Sequence, residues 1–145
     1  MKYMTKLQIW IDSIAAAVGA ALGFLFGEAS GLFLALLACM ALDYISGVLV
    51  AIGNKKLSSK VGAKGIAKKL LVLISTAIGH ITDTYLLSGV PAAMSAVMLF
   101  YIANEGISIV ENAAELGLPV PEKIKQVLAQ IRKKGEEKSD EDKGY

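Results

Sequence analysis

Six lysines and no acid occupy residues 54–69, NKKLSSKVGAKGIAKK (Lys55, Lys56, Lys60, Lys64, Lys68 and Lys69), and long apolar runs flank this block on both sides. Water cannot solvate such runs without a polar surface to cover them, whereas a bilayer can hold them as helices. Lys and Arg resist translocation, so in a membrane-inserted chain the block is expected on the cytoplasmic face. This orients everything else: one hairpin of apolar helices precedes the block and one follows it.

Composition agrees with that reading. The chain is 54% hydrophobic and only 19% charged, with a mean hydropathy of +0.54. Soluble domains have roughly 45–50% apolar and about 25% charged residues. The charges here are clustered, and the residues between the clusters would leave a soluble fold without a polar surface. The lysine block therefore reads as a topology signal, and no nucleic-acid partner is expected. One cysteine, Cys39, and one histidine exclude a disulfide framework and Cys/His metal spacing, so no metal or other cofactor is expected. Cys39, inside an apolar run, reads as a small hydrophobe.

The spans follow in order. The start is short and basic (Lys2, Lys6), and residues 13–27 carry no charge. Alone they would give about 22 Å of helix, short of the ~30 Å hydrocarbon core. The first span is therefore taken as 7–27, with Asp12 near the interface. Cleavage as a signal peptide is not expected, because a second apolar run follows at once. Ala15, Gly19, Gly23 and Gly27 recur every four residues, a small-residue ridge that lets helix backbones approach closely in lipid. The second span, 30–53, has Asp43 as its one charge within 31–53 and adds Gly31, Ala35, Gly47 and Ala51 as small packing residues. A third is expected at 68–88 and a fourth at 91–116, with 54–69 as a cytoplasmic loop. Gly117, Pro119 and Pro121 end the fourth. A short amphipathic helix is expected within 117–134, where Ile124, Val127, Leu128 and Ile131 keep helical spacing. The polar residues 135–145 are expected to be disordered.

The fold class is thus an all-α integral membrane protein: two transmembrane hairpins, four helices, both termini cytoplasmic, and a cytoplasmic amphipathic helix. All 15 Lys and Arg fall in the N-terminal segment, the lysine block or the C-terminal region, and none in the turns near Glu28 and Gly89–Pro91. Three crossings, with 7–27 lying at the interface, are opposed only by Lys2 and Lys6.

No nucleophile–base set or phosphate-binding glycine loop is present, so no enzyme is expected. The candidate functional residues are polar groups at membrane depth. Asp43, Asp83 and Glu105 have no Lys or Arg at comparable depth, and each would cost about 2.5–3.5 kcal/mol at a helix centre. They must be neutral, paired, hydrogen-bonded across helices or facing water. Thr76, His80, Asp83 and Thr84 share a face about 100° wide, making His80 and Asp83 a candidate local pair. Asn104, Glu105, Ser108, Glu111, Asn112 and Glu115 share a face about 120° wide. Asn104, Glu105 and Ser108 are expected to meet another helix or a water-filled lumen. Glu111 closes the candidate set at the edge of the cytoplasm, and Glu115 lies beyond it. Four short helices cannot enclose a wide pore, so any sizeable hole needs many copies. The residues alone are compatible with a small oligomeric ion or proton channel or transporter subunit, and with a membrane anchor that recruits a partner through 121–134.

Several blocks are familiar: Asp43-Tyr44-Ile45-Ser46-Gly47, Leu57-Ser58-Ser59-Lys60, Gly65-Ile66-Ala67-Lys68-Lys69, and the longest, residues 100–113, FYIANEGISIVENA, followed by 117–123, GLPVPEK. In these the chain resembles the phage-lysis and toxin-secretion holins of Gram-positive bacteria and their phages, including clostridial toxin-release members. His80 and Asp83 fit the third segment of that family, and the resemblance covers roughly residues 30–130. It implies a protein that accumulates in the cytoplasmic membrane of a bacterium or infected host, self-associates, and opens lesions at a set time. An endolysin or a large toxin passes through as cargo, with no direct contact required. The family has no catalytic residues to carry over; in such an oligomer Asp43, Asp83 and Glu105 are expected to stay neutral or paired while it is closed and to face water when it opens, with His80, Asn104, Ser108 and Glu111 as further pore or gating candidates. Some holins are made from two starts, and Met4, which would drop Lys2, is a candidate second start.

Overall fold

The computed structural model describes residues 6–124 and 126. Four helices are formed: α1 (Lys6–Phe26), α2 (Gly31–Gly53), α3 (Ser59–Tyr85) and α4 (Ala92–Glu115). Each contains a stretch long and apolar enough to cross a membrane. At 1.5 Å per residue the shortest, α1 with 21 residues, is about 31 Å long, enough for the ~30 Å hydrocarbon core. No strand occurs among the described residues.

Local chemistry sets the helix ends. Gly27 follows α1 with φ +66°, a left-handed conformation that costs an L side chain about 1–2 kcal/mol, and donates its N–H to the Gly23 carbonyl. Ser30 caps α2, its Oγ accepting the Phe33 N–H at 3.1 Å. The 27–30 turn is bridged by Phe26 and Phe33, whose rings stack with centroids 5.1 Å apart. At the far end of α4, Gly117 takes φ +85° and the Leu118 N–H returns to the Ala113 carbonyl, which satisfies an otherwise orphaned acceptor.

The third helix departs from expectation. It begins at Ser59, so Lys60, Lys64, Lys68 and Lys69 are helical, and the connection from α2 spans only residues 54–58. The lysine block lacks a proline, Lys and Ala are good helix formers, and the Ser58 carbonyl accepts the Gly62 N–H at 3.1 Å. Charge was mistaken there for loop. Residues 122–124 and 126 are helical; the remainder of the expected amphipathic helix, residue 125 and residues 127–134, and the 135–145 tail lie outside the described residues, as does Met4.

The chain divides into two compact units. Among the described residues, unit 1 comprises 6–37 and 66–101; unit 2 comprises 38–65, 102–124 and 126. In unit 1 the buried apolar side chains are Leu36, Val72, Ala77, Met94 and Met98, with Thr76 fully buried among them. Thr76 returns its hydroxyl to the Val72 carbonyl at 2.9 Å, so its burial leaves no polar atom unsatisfied. Along this unit Asp83 meets Ala93, Gly79 meets Met94 and Ser75 meets Tyr101, an antiparallel progression of α3 against α4. In unit 2, Asn112 meets Asp43 and Ser46, and further along both helices Glu115 and Leu116 meet Asn54 and Gly53. Here α2 and α4 run parallel.

Outside these contacts the helices expose many large apolar side chains. Trp10, Ile14, Val18, Leu22 and Phe24 of α1 are all more than half exposed, and α1 buries no residue. The same holds for Leu34, Leu42, Leu71, Ile74, Ile78, Leu99 and Phe100 on the other helices. Apolar exposure on this scale matches a lipid-facing exterior rather than scattered surface residues.

Candidate functional site

Asp83 is 3% exposed. Its Oδ1 accepts the Ala93 N–H at 2.7 Å and its Oδ2 the Met94 N–H at 2.9 Å. Those are the second and third residues of α4, whose first-turn N–H groups have no partner within the helix. A side chain of α3 thus caps α4, and the positive end of the α4 dipole faces a carboxyl group. The Asp83 carbonyl also accepts the Gly89 N–H at 2.7 Å, so the same residue closes the turn it starts.

Gly79, one turn earlier, makes the close approach possible. A Cβ there would lie 2.8 Å from Met94 Cα and 3.0 Å from Met94 N. Backbone packs against backbone, which only glycine permits. His80 does not join Asp83. Its ring covers Gly27, with Cε1 2.7 Å from where a Gly27 Cβ would stand. The expected His80–Asp83 pair is therefore replaced by two separate contacts, one to the end of α1 and one to the start of α4. Helical spacing places residues on a face without saying what the next element offers them. Thr84, also assigned to that face, is exposed and returns its hydroxyl to the His80 carbonyl.

The polar groups of unit 2 form a second cluster. Asn112 Nδ2 donates to Ser46 Oγ at 2.8 Å and, more weakly, to Asp43 Oδ1 at 3.4 Å. Ser46 in turn donates to the Asp43 carbonyl at 3.0 Å. Asp43 is half-buried, and Glu105 is 7% exposed; both make further polar interactions. At the end of α2, Asn54 Nδ2 donates to Glu115 Oε1 at 2.7 Å. Tyr44 lies across Gly62 and Gly65 at the start of α3, its ring carbons 3.3 and 3.4 Å from where a Gly65 Cβ would be. Among the described residues no three His, Cys, Asp or Glu side chains converge as metal ligands would.

The remaining candidates separate. The Asn104–Glu115 face is not one surface: Glu105 is buried, Ser108 and Asn112 are half-buried, and Asn104, Glu111 and Glu115 are exposed. Of the small-residue set, Gly19, Gly23 and Gly31 have nothing within 4 Å of an added Cβ, and Ala35 is exposed. Gly27 is a helix terminator facing His80 rather than a ridge member. Gly47 lies under Asn112, with Nδ2 3.8 Å from an added Cβ, and Ala51 is half-buried. Lys55, Lys56, Lys60, Lys64 and Lys68 are exposed and Lys69 is half-buried.

Gly79 and Gly62 were not singled out from the sequence, and Tyr44, Ser46 and Gly65 were named only within the blocks that carry the family resemblance. Gly79 shares the i, i+3, i+7 spacing of Thr76 and Asp83, a signal that was available. The Gly62 and Gly65 pair lay inside the block read as a loop.

Comparison with known proteins gives these features a setting. The model of the bacteriophage holin family matches residues 20–133. An uncharacterised protein of Listeria innocua is 44% identical over 126 residues, covering 86% of this chain and 89% of its own. An uncharacterised 14.9 kDa protein from the nagH 3′ region of Clostridium perfringens is 39% identical over 118 residues, covering 81% and 89%. A probable holin of Bacillus phage phi105 is 37% identical over 120 residues, covering 82% and 87%. No solved structure matches the chain. With most of its length inside the family match and a phage relative above 30% identity across most of both chains, this chain, with four helices long and apolar enough to cross a membrane among its described residues, belongs to the bacteriophage holin family.

Proposed function

We propose that the chain is a lysis or secretion holin. It inserts in the bacterial cytoplasmic membrane with both termini and the lysine block inside, self-associates, and opens lesions through which an endolysin or a large toxin leaves the cytoplasm. The observation that carries this reading is membership of the holin family by a chain whose four apolar helices are too few to enclose a protein-sized hole alone. The lipid bilayer and further copies of the chain are its partners; the cargo needs no direct contact.

Within this reading the two polar clusters have different tasks. Asp83, with Gly79, holds the α3–α4 hairpin, and His80 sits against Gly27 at the end of α1. Asp43 and Glu105, with Asn104, Ser108 and Glu111 on the same helix as Glu105, form the gate: Asp43 and Glu105 are held inside the closed chain and turn to water when the oligomer opens. Asp43→Asn and Glu105→Gln variants should insert at normal levels and trigger at altered times. Unchanged timing in both would remove these acids from the gate.

The function is tested by induced expression with and without a cytosolic endolysin, following turbidity and membrane potential. Abrupt clearing that requires the endolysin supports a holin. Depolarisation without endolysin-dependent clearing contradicts it and favours a small ion or proton channel.

A further inference from the structure

Lys55, Lys56, Lys60 and Lys64 all belong to unit 2, and all four are exposed. Their ammonium groups hold no hydrogen bond or ion pair among the described residues. Lys60 and Lys64 stand one turn apart on the first two turns of α3, where side chains at i and i+4 lie one above the other about 6 Å apart. Lys55 and Lys56 precede them in the connection from α2. Residues 54–69 contain no acid to neutralise the group, and Glu115, the acid that the connection does touch, accepts a hydrogen bond from the Asn54 amide.

Depth is set by the rest of α3. Its stretch free of Asp, Glu, Lys and Arg, residues 70–82, is about 20 Å long at 1.5 Å per residue, shorter than the ~30 Å hydrocarbon core. A helix so short of apolar length draws its flanking lysines to the membrane boundary, where their stems lie along the apolar surface and their charges reach the headgroups. Tyr44, lying across Gly62 and Gly65, adds an aromatic ring of the kind enriched at that level.

We infer that Lys55, Lys56, Lys60 and Lys64 form a binding site for the phosphodiester headgroups of anionic glycerophospholipids. Four or more basic residues at the cytoplasmic end of a span suit such a surface, each adding about fivefold in affinity. The inference rests on the membrane insertion and orientation proposed above, but not on lesion formation.

The test uses the full chain in neutral detergent micelles, titrated with phosphatidylglycerol or phosphatidylcholine of identical acyl chains and read by native mass spectrometry. Phosphatidylglycerol should bind at least tenfold tighter. The Lys60→Gln/Lys64→Gln variant should lose roughly 30-fold in affinity for phosphatidylglycerol, at about fivefold per lysine, with phosphatidylcholine binding unchanged. Gln preserves helix propensity, and Lys60→Arg/Lys64→Arg should keep the preference, which separates charge loss from misfolding. Inorganic phosphate at constant ionic strength should not displace the lipid. Equal affinity of the native chain for both lipids would overturn the inference, as would full retention of preference in the Gln variant or displacement by phosphate. Because the readout is binding by the purified chain, it can fail while endolysin-dependent clearing succeeds, and the reverse.

Discussion

Asp83 combines two tasks that usually need two residues. Its side chain terminates one helix pair and its carbonyl closes the intervening turn, so the polar cost of an acid at membrane depth is offset by satisfying donors that would otherwise be orphaned. Asp83→Ala leaves two first-turn N–H groups without acceptors and should destabilise the chain in micelles by about 1–3 kcal/mol, measured by reversible denaturation. Asp83→Asn should lose part of that, because one of its two acceptors becomes a donor. An unchanged midpoint in both would mean that water replaces the carboxyl group. The glycines make a sharper contrast. Gly79→Ala drives a Cβ into the Met94 backbone and should cost about 1–3 kcal/mol, whereas Gly19→Ala meets nothing in the chain and should cost none. Equal effects at the two positions would contradict the packing described. If Gly19→Ala instead alters only self-association, the first-helix ridge acts between copies.

At the scale of the element, the helices were legible because their signal is long: each apolar run is bounded by a charge or a Gly-rich turn, and four spans follow from length and hydropathy alone. The start of α3 was not legible for the opposite reason. A run of lysines satisfies helix propensity and the appearance of a polar loop equally well, and only the capping at Ser58 separates the two. His80 and Asp83 share one face by spacing, but their side chains meet different neighbours, Gly27 and the start of α4, since periodicity reports angle and not partner. Asn112 illustrates the same limit: its place on the α4 face was readable, its bond to Ser46 was not. Orientation can be measured directly. In a Cys39→Ala background, single cysteines at Glu28 and Ser88 should react with a membrane-impermeant thiol reagent in intact cells, and a cysteine at Ser58 should react only after permeabilisation. Outside labelling at Ser58 would reverse the topology; labelling in intact cells of a cysteine placed at Lys6, together with Ser88, would mean that the first helix lies at the interface and the N-terminus is outside.

For the whole molecule, large apolar side chains are exposed on all four helices, and among the described residues no buried side-chain polar atom lacks a hydrogen-bond partner. α1 buries none of its residues, and in unit 2 Asp43 accepts a weak hydrogen bond from Asn112 and Glu105 is buried; under the proposed function a rearranged oligomer would exchange such contacts for water. Lesions large enough for a folded protein are the central claim, and they are measured by release of a folded cytosolic fluorescent reporter from cells expressing the chain without endolysin. The account predicts abrupt release of the intact reporter at the moment the membrane depolarises. Depolarisation with the reporter fully retained would contradict it, because ions would then be passing where proteins cannot.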